Sequence, residues 1–135
     1  MKESLIDTDI LSYYMRGLRK VVPRAQKYLK QFGYLNVSSL TVFEILKGLR
    51  KKRLVEKEKI FQTEILKHKV FALDYAVMDT AATLLTALED KGTPIAYGDL
   101  FIAATALAHD LILVTNNTKH FSKVEGLVLE NRTKP

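Results

Sequence analysis

The sequence contains no cysteine and no tryptophan, and it has few prolines. Without thiols the chain cannot form a disulfide, a thiolate zinc site or a cysteine nucleophile. The N-terminal apolar run, Leu5-Ile6, is too short for the core of a signal peptide, and no later run approaches the length of a membrane span. We therefore expect a soluble, cytoplasmic protein with no membrane segment.

Acidic residues are absent between Ile10 and Phe43, although the whole chain has a net charge of +6. A second basic run, from Lys47 to Arg53, follows Glu44. A basic surface beside carboxylates suits a polyanion, because carboxylates alone would repel phosphate groups. Solvated helix faces are the alternative explanation of such runs. The predicted approach surface for nucleic acid contains Arg16, Arg19, Lys20, Lys47 and Arg50.

The length of 135 residues and the hydrophobic content of 47% predict one domain that spans residues 1–135. Short apolar runs predict five strands, at Ser4–Ile6, Tyr34–Ser38, Val70–Leu73, Leu111–Thr115 and Leu127–Leu129. Helical spacing of apolar residues predicts helices at Ile10–Met15, Val21–Phe32, Leu40–Lys52, Leu54–Lys67, Asp74–Lys91 and Asp99–His109. Strands separated by helices indicate an α/β fold with a mainly parallel five-stranded sheet flanked by helices.

Oxygen-bearing side chains lie at the ends of predicted strands or the starts of predicted helices. Asp7 ends the first strand, Glu44 follows the second, Asp99 opens a helix, and Asn116-Asn117 follow the fourth strand. The carboxyl ends of parallel strands converge on one crevice, so their distance along the chain is no obstacle. Hard oxygen donors favour Mg²⁺ or Mn²⁺ over Zn²⁺. The pattern therefore predicts a metal site of the nuclease type.

Each of these residues also has a purely structural explanation. Asp7 or Asp99 could be a helix N-cap, Glu44 could be an exposed helix residue, and the asparagines could form a turn. We assign Asp9 as the cap or an outer group of the site, because a cap directly precedes its helix, and we keep Asp7 as a ligand. His68, His109 and His120 lie at the polar ends of predicted elements, where we expect them to be exposed, and they are weak candidates for a general acid/base pair.

Four segments together resemble the PIN-domain ribonucleases and, within them, the VapC-type toxins of prokaryotic toxin–antitoxin pairs. These segments are LIDTDILSYY from Leu5, VSSLTVFEILKG from Val37, GDLFIAATALAHDLILVTNN from Gly98 and HFSKVEGLVLEN from His120. The resemblance covers nearly the whole chain. It places the family's metal-binding carboxylates on Asp7, Glu44 and Asp99, and its fourth acidic position on Asn117.

The resemblance also assigns supporting residues and partners. Ser38, Thr41 and Thr115 match hydroxyl residues that order the site, Asn116 stands beside Asn117, and Asp9 occupies a position where Asn is more usual. It implies an endoribonuclease that depends on Mg²⁺ or Mn²⁺ and acts on a structured RNA such as tRNA. It further implies a homodimer that assembles with a cognate antitoxin protein.

Two other functions fit parts of the sequence. A phosphorelay receiver domain is also an α/β fold with clustered acidic residues, and Asp7, Asp9 and Asp74 could imitate its site. Against this, two helices separate the predicted second and third strands, and no Lys follows the fifth strand directly. The second alternative is a catalytically idle PIN-like module that only binds partners.

Overall fold

The computed structural model describes residues 2–131, and its strands form one parallel sheet. The strands are β1 (Ser4–Ile6), β2 (Asn36–Ser38), β3 (Lys69–Phe71), β4 (Ile112–Val114) and β5 (Leu129–Glu130). They pair in the order β3-β2-β1-β4-β5, and every neighbouring pair is parallel. The predicted α/β fold with a five-stranded sheet is therefore confirmed, and the sheet is entirely rather than mainly parallel.

Helices connect the strands throughout the described part of the chain. They are α1 (Thr8–Met15), α2 (Val22–Phe32), α3 (Ser39–Lys51), α4 (Val55–Ile65), α5 (Tyr75–Asp90), α6 (Tyr97–Ala108) and the short α7 (Thr118–Phe121). The sequence analysis missed α7, because one helical turn carries no periodic apolar pattern. None of the helices in residues 2–131 is long and apolar enough to cross a membrane.

Two of the helices, α1 and α6, start two residues before their predicted starts. Helix α1 begins at Thr8, and Asp7 is its N-cap, with a side chain that accepts a hydrogen bond from the Thr8 backbone. The assignment of the cap to Asp9 was therefore wrong, since Asp9 lies inside the first turn. Helix α6 begins at Tyr97, so Asp99 also lies in a first turn rather than at the start of the helix. An acidic residue in a first turn still gains from the helix dipole.

Apolar side chains form one cluster on each side of the sheet. Leu5 packs in a cluster with the α5 and α6 side chains, while Ile6 packs in a cluster that includes Tyr28 of α2. Successive strand residues point to opposite faces, which explains why these neighbours separate. The small buried residues Ala103 and Ala104 allow α6 to lie close to the sheet.

The sheet order places a crevice at the carboxyl ends of β1 and β4. Chain connections run outward in both directions from this pair, and such switch points are where open α/β sheets bind ligands. The order also rejects the receiver-domain alternative, whose sheet has the order 2-1-3-4-5. Asp74, one of the residues that could imitate the receiver site, instead caps α5 through a 3.1 Å hydrogen bond from the Val77 backbone.

A tyrosine hydroxyl fixes the start of β1. The buried Tyr28 hydroxyl accepts a hydrogen bond from the Ser4 backbone N–H at 3.1 Å. Tyr28→Phe should lower the free energy of unfolding by about 1–3 kcal/mol, because it leaves this buried N–H without its partner. Tyr34→Phe, at a side chain that is 38% exposed, is the control. Equal urea midpoints for both variants would contradict the assigned role of the Tyr28 hydroxyl.

Candidate active site

Asp7 lies at the centre of the crevice, and both of its carboxylate oxygens accept hydrogen bonds. Oδ1 accepts from the Thr8 backbone N–H at 2.7 Å, and Oδ2 accepts from the Thr115 hydroxyl at 2.8 Å. The Thr115 oxygen in turn accepts from the Asn117 backbone N–H at 3.0 Å. These bonds tie the residue after β1 to the residues after β4, and they fix the orientation of the Asp7 carboxylate.

The environment of Asp7 disfavours its negative charge. The residue is only 8% exposed, and burial raises its pKa from the ordinary value of 3.8 to about 6. Hydrogen bonds from Thr115 and Thr8 lower the pKa, whereas the negative charges of Asp9 and Asp99 raise it further. A cation in the crevice would offset both the burial and the repulsion.

A chain of hydroxyl groups holds Glu44 at the same crevice. The Thr8 hydroxyl donates to Glu44 Oε1 at 2.7 Å and lies 2.9 Å from the Thr41 hydroxyl. Because Thr8 has a single hydroxyl hydrogen, Thr41 must be the donor in the second bond. Ser38 lies outside this chain and caps α3 through a 3.0 Å bond from the Leu40 backbone. The sequence analysis did not single out Thr8, which joins α1 to α3.

Helix α6 approaches Glu44 at Gly98. A Cβ atom at Gly98 would lie 3.9 Å from Glu44 Oε2 and 3.8 Å from the Leu40 side chain. The neighbouring residue, Asp99, has a half-exposed side chain whose Oδ2 lies 3.0 Å from Nε2 of His120. Carboxylates from β1, α3 and α6 are thus brought to one end of the sheet.

His68 contradicts the predicted exposure, and His120 is only partly exposed. His68 has a side chain only 3% exposed, with Nε2 at 2.7 Å from Glu64 Oε2, and its Nδ1 accepts from the Leu35 backbone at 3.0 Å. His120 lies against Asp99 at the crevice, so it is a residue of the site that the sequence analysis missed. His109 is exposed, as predicted, and its ring packs on Phe71.

The remaining polar residues of the predicted site lie at its edge. Asp9, Asn116 and Asn117 are exposed, and Asn117 contributes its backbone N–H to the Thr115 oxygen. Within residues 2–131, no three His, Asp or Glu side chains are grouped closely enough to enclose a metal ion. The donor chemistry nevertheless fits Mg²⁺, which usually keeps several waters and takes one or two carboxylates from the protein.

The predicted basic residues occupy different environments. Arg19 and Lys20 line a pocket of about 360 Å³ together with Tyr13, Leu18 and Asn116. The Arg16 guanidinium lies 5.5 Å from the centre of the Tyr13 ring, and the Lys47 ammonium 5.6 Å from that of Phe43. Arg50 donates two hydrogen bonds to Glu58, at 3.2 and 3.3 Å. Its charge is therefore compensated within the protein.

Comparison with known proteins identifies the family. A family model described as PIN domain matches residues 4–127. The chain belongs to the PIN-domain family. Ribonuclease VapC2 of Rickettsia felis is 30% identical over 94% of this chain and 96% of its own length. The tRNA(fMet)-specific endonuclease VapC of Shigella flexneri is 26% identical over 97% of this chain and 98% of its own.

A solved structure supports the same relationship. The crystal structure of VapBC2 from Rickettsia felis, bound to a DNA fragment from the promoter, has a chain that superposes with a TM-score of 0.84 at 26% identity. The match covers 95% of this chain and 97% of that one. This PIN-domain protein is thus a VapC ribonuclease toxin, and the resemblance predicted from its motifs is confirmed.

Burial of Asp7 predicts a pH-dependent stability difference in metal-free protein. Because its pKa is raised, the folded chain binds this proton more tightly, so stability is lost as pH rises from 3.8 to about 6. Asp7→Asn cannot ionise. The free energy of unfolding is measured in urea with EDTA present. The value for the variant minus that for the wild type should rise by up to about 3 kcal/mol between acid and neutral pH. A difference that stays constant across this range would contradict the assignment.

Proposed function

We propose that this VapC ribonuclease cleaves RNA internally by metal-dependent hydrolysis at the crevice of Asp7, Glu44 and Asp99. The observation that carries the proposal is the buried Asp7 carboxylate, which is held by two hydrogen bonds and surrounded by further negative charge. Retaining such a group costs stability, and a bound cation recovers that cost. The alternative of a catalytically idle binding module gives no reason to keep the charge buried.

The carboxylates and the Asn117 amide supply the oxygen donors that Mg²⁺ or Mn²⁺ prefers. Bound there, such an ion would polarise the phosphate oxygens and lower the pKa of water. Asn117 stands at the family's fourth acidic position and offers a neutral oxygen. One carboxylate fewer makes the site less negative, while the exposed Asp9 adds a charge nearby.

The protein's own residues orient the reacting groups. Thr115 and Thr8 direct their hydroxyl hydrogens at Asp7 and Glu44, so these carboxylates keep one geometry while RNA enters. Thr41 completes the donor chain behind Thr8. Preorganised groups avoid the cost of rearrangement during reaction, which is why these neutral hydroxyl groups matter for catalysis. Ser38 acts through the cap of α3, which carries Glu44.

The substrate and partners follow from the relatives and the surface. We infer a structured RNA such as a tRNA, because the Shigella flexneri relative is a tRNA(fMet)-specific endonuclease. We also infer a cognate antitoxin. A groove of about 730 Å³ begins at Glu44 and is lined by the apolar side chains of Met15, Leu49, Leu54 and Ile60, which suits a protein segment. A second copy of the chain would complete the assembly as a homodimer.

Loss of a carboxylate tests the hydrolytic mechanism. Asp7→Asn or Asp99→Asn should reduce cleavage of a tRNA at limiting Mg²⁺ by at least about a hundredfold, because each change removes a negative donor. Asp79→Asn, on the exposed side of α5, should cleave like the wild type. Products should carry 5′-phosphate and 3′-hydroxyl ends, detected by end-specific ligation. Cleavage that survives EDTA, or 2′,3′-cyclic phosphate ends, would refute the proposed mechanism.

The basic residues beside Tyr13 test the path of the RNA. Replacing Arg16, Arg19 and Lys20 with Gln should reduce the salt slope of RNA binding by about 0.7 for each lost phosphate contact. The control replaces Lys2, Lys69 and Lys91, which lie outside the proposed approach surface, with the same change in charge. Lys2 precedes β1 and Lys69 begins β3, at the amino ends of these strands. Binding is measured on the Asp7→Asn background to prevent cleavage. An unchanged slope would remove this surface from the RNA path and favour a protein interface.

A further inference from the structure

His120 touches a residue of the proposed site, although the resemblance assigns it no role and it is not one of the proposed metal donors. Its Nε2 lies 3.0 Å from Asp99 Oδ2. We propose that His120 is a positioning residue that fixes the Asp99 carboxylate at the crevice. This inference rests on the proposed function, in which Asp99 is a metal donor. His120 would hold one oxygen of the Asp99 carboxylate and leave the other free to face the crevice.

The burial of Nε2 is the first line of evidence. The His120 side chain is 28% exposed as a whole, yet its Nε2 is buried and has no hydrogen bond of good geometry within the described residues. A buried polar nitrogen without a hydrogen bond is costly, so one that persists calls for an explanation. Asp99 is the acidic group beside it, at a distance that allows a hydrogen bond after a small rotation. Such contacts commonly tighten when a site is loaded.

The packing of α7 is the second line of evidence. Phe121 is fully buried, and its ring meets the His120 ring edge-on at 5.5 Å between centroids. The His120 backbone N–H donates to the Asn117 carbonyl at 3.2 Å. The imidazole is therefore anchored by its neighbours and is not free to follow Asp99. An imidazole held in this way can orient the carboxylate of Asp99, whose side chain is 37% exposed.

The same short segment also holds Asp7. Thr115 donates to Asp7 and accepts from the Asn117 backbone, and His120 follows one helical turn later. One stretch of chain between Thr115 and Phe121 thus contacts carboxylates from both β1 and α6. This stretch of chain therefore helps to position Asp7 and Asp99 relative to each other.

Metal binding by the full-length protein tests this role. His120→Leu keeps most of the volume but removes the donor, whereas the side-chain amide of His120→Gln can reach the position of Nε2. Titration calorimetry with Mn²⁺ should show an affinity about tenfold lower for the Leu variant, and an affinity within about twofold of wild type for Gln. At saturating metal, the KM for RNA should not change, because His120 acts through Asp99. Wild-type affinity in the Leu variant, or equal losses in both variants, would overturn the proposal.

A metal-free double-mutant cycle separates this inference from the proposed function. The urea midpoints of His120→Leu, Asp99→Asn and the double variant are compared in EDTA. Non-additive changes are expected, because the two side chains interact directly. Additive changes would overturn the His120–Asp99 interaction, whether or not the protein binds Mn²⁺. If the wild type binds no Mn²⁺ but the cycle is non-additive, the metal-dependent function fails while the contact between the two side chains stands.

Discussion

The hydrogen bond from Thr115 to Asp7 is the interaction on which the arrangement of the site depends. It joins the residues that follow β1 and β4, the two central strands from which the connections run in opposite directions. The β1–β4 pairing continues through the bond from the Asp7 backbone to the Val114 carbonyl. The geometry of Asp7 is therefore set by the backbone of the sheet itself. Glu44 of α3 is joined to Thr8, the residue after Asp7, and Asp99 of α6 lies beside His120 of the segment that follows β4.

Hydroxyl groups, rather than ion pairs, orient the carboxylates from β1 and α3. Thr115, Thr8 and Thr41 each place a neutral donor at the crevice, and none of them cancels the negative charge there. A lysine or arginine in the same positions would stabilise the metal-free protein but would compete with a cation. Neutral donors fix the orientation of the carboxylates and leave their negative charge available to a bound cation. Burial raises the pKa of Asp7, and the hydrogen bonds that it accepts lower the pKa only in part.

The sequence predicted the sheet well because short buried strands leave compact apolar runs. Strand β1 matches its predicted bounds and Asp7 directly follows it, whereas Glu44 and Asp99 lie in the helices α3 and α6. The helix starts were less predictable, since Asp7 and Asp9 are both good caps and only the backbone distinguishes them. Thr8 and His120 were missed for another reason. Their partners, Glu44 and Asp99, are distant in sequence, and a single hydroxyl or imidazole leaves no periodic signal.

Helix α1 connects the crevice to the two surfaces proposed for partners, which are the groove that begins at Glu44 and the basic pocket beside Tyr13. Its first residues, Thr8 and Asp9, border the groove that begins at Glu44, and Tyr13 in its last turn borders the basic pocket. Arg16 lies at the junction, because it lines the groove while its guanidinium lies over the Tyr13 ring. An antitoxin segment in the groove would therefore reach the carboxylates and the basic surface together. Inhibition would then require neither unfolding of the sheet nor loss of the hydrogen bonds that hold Asp7.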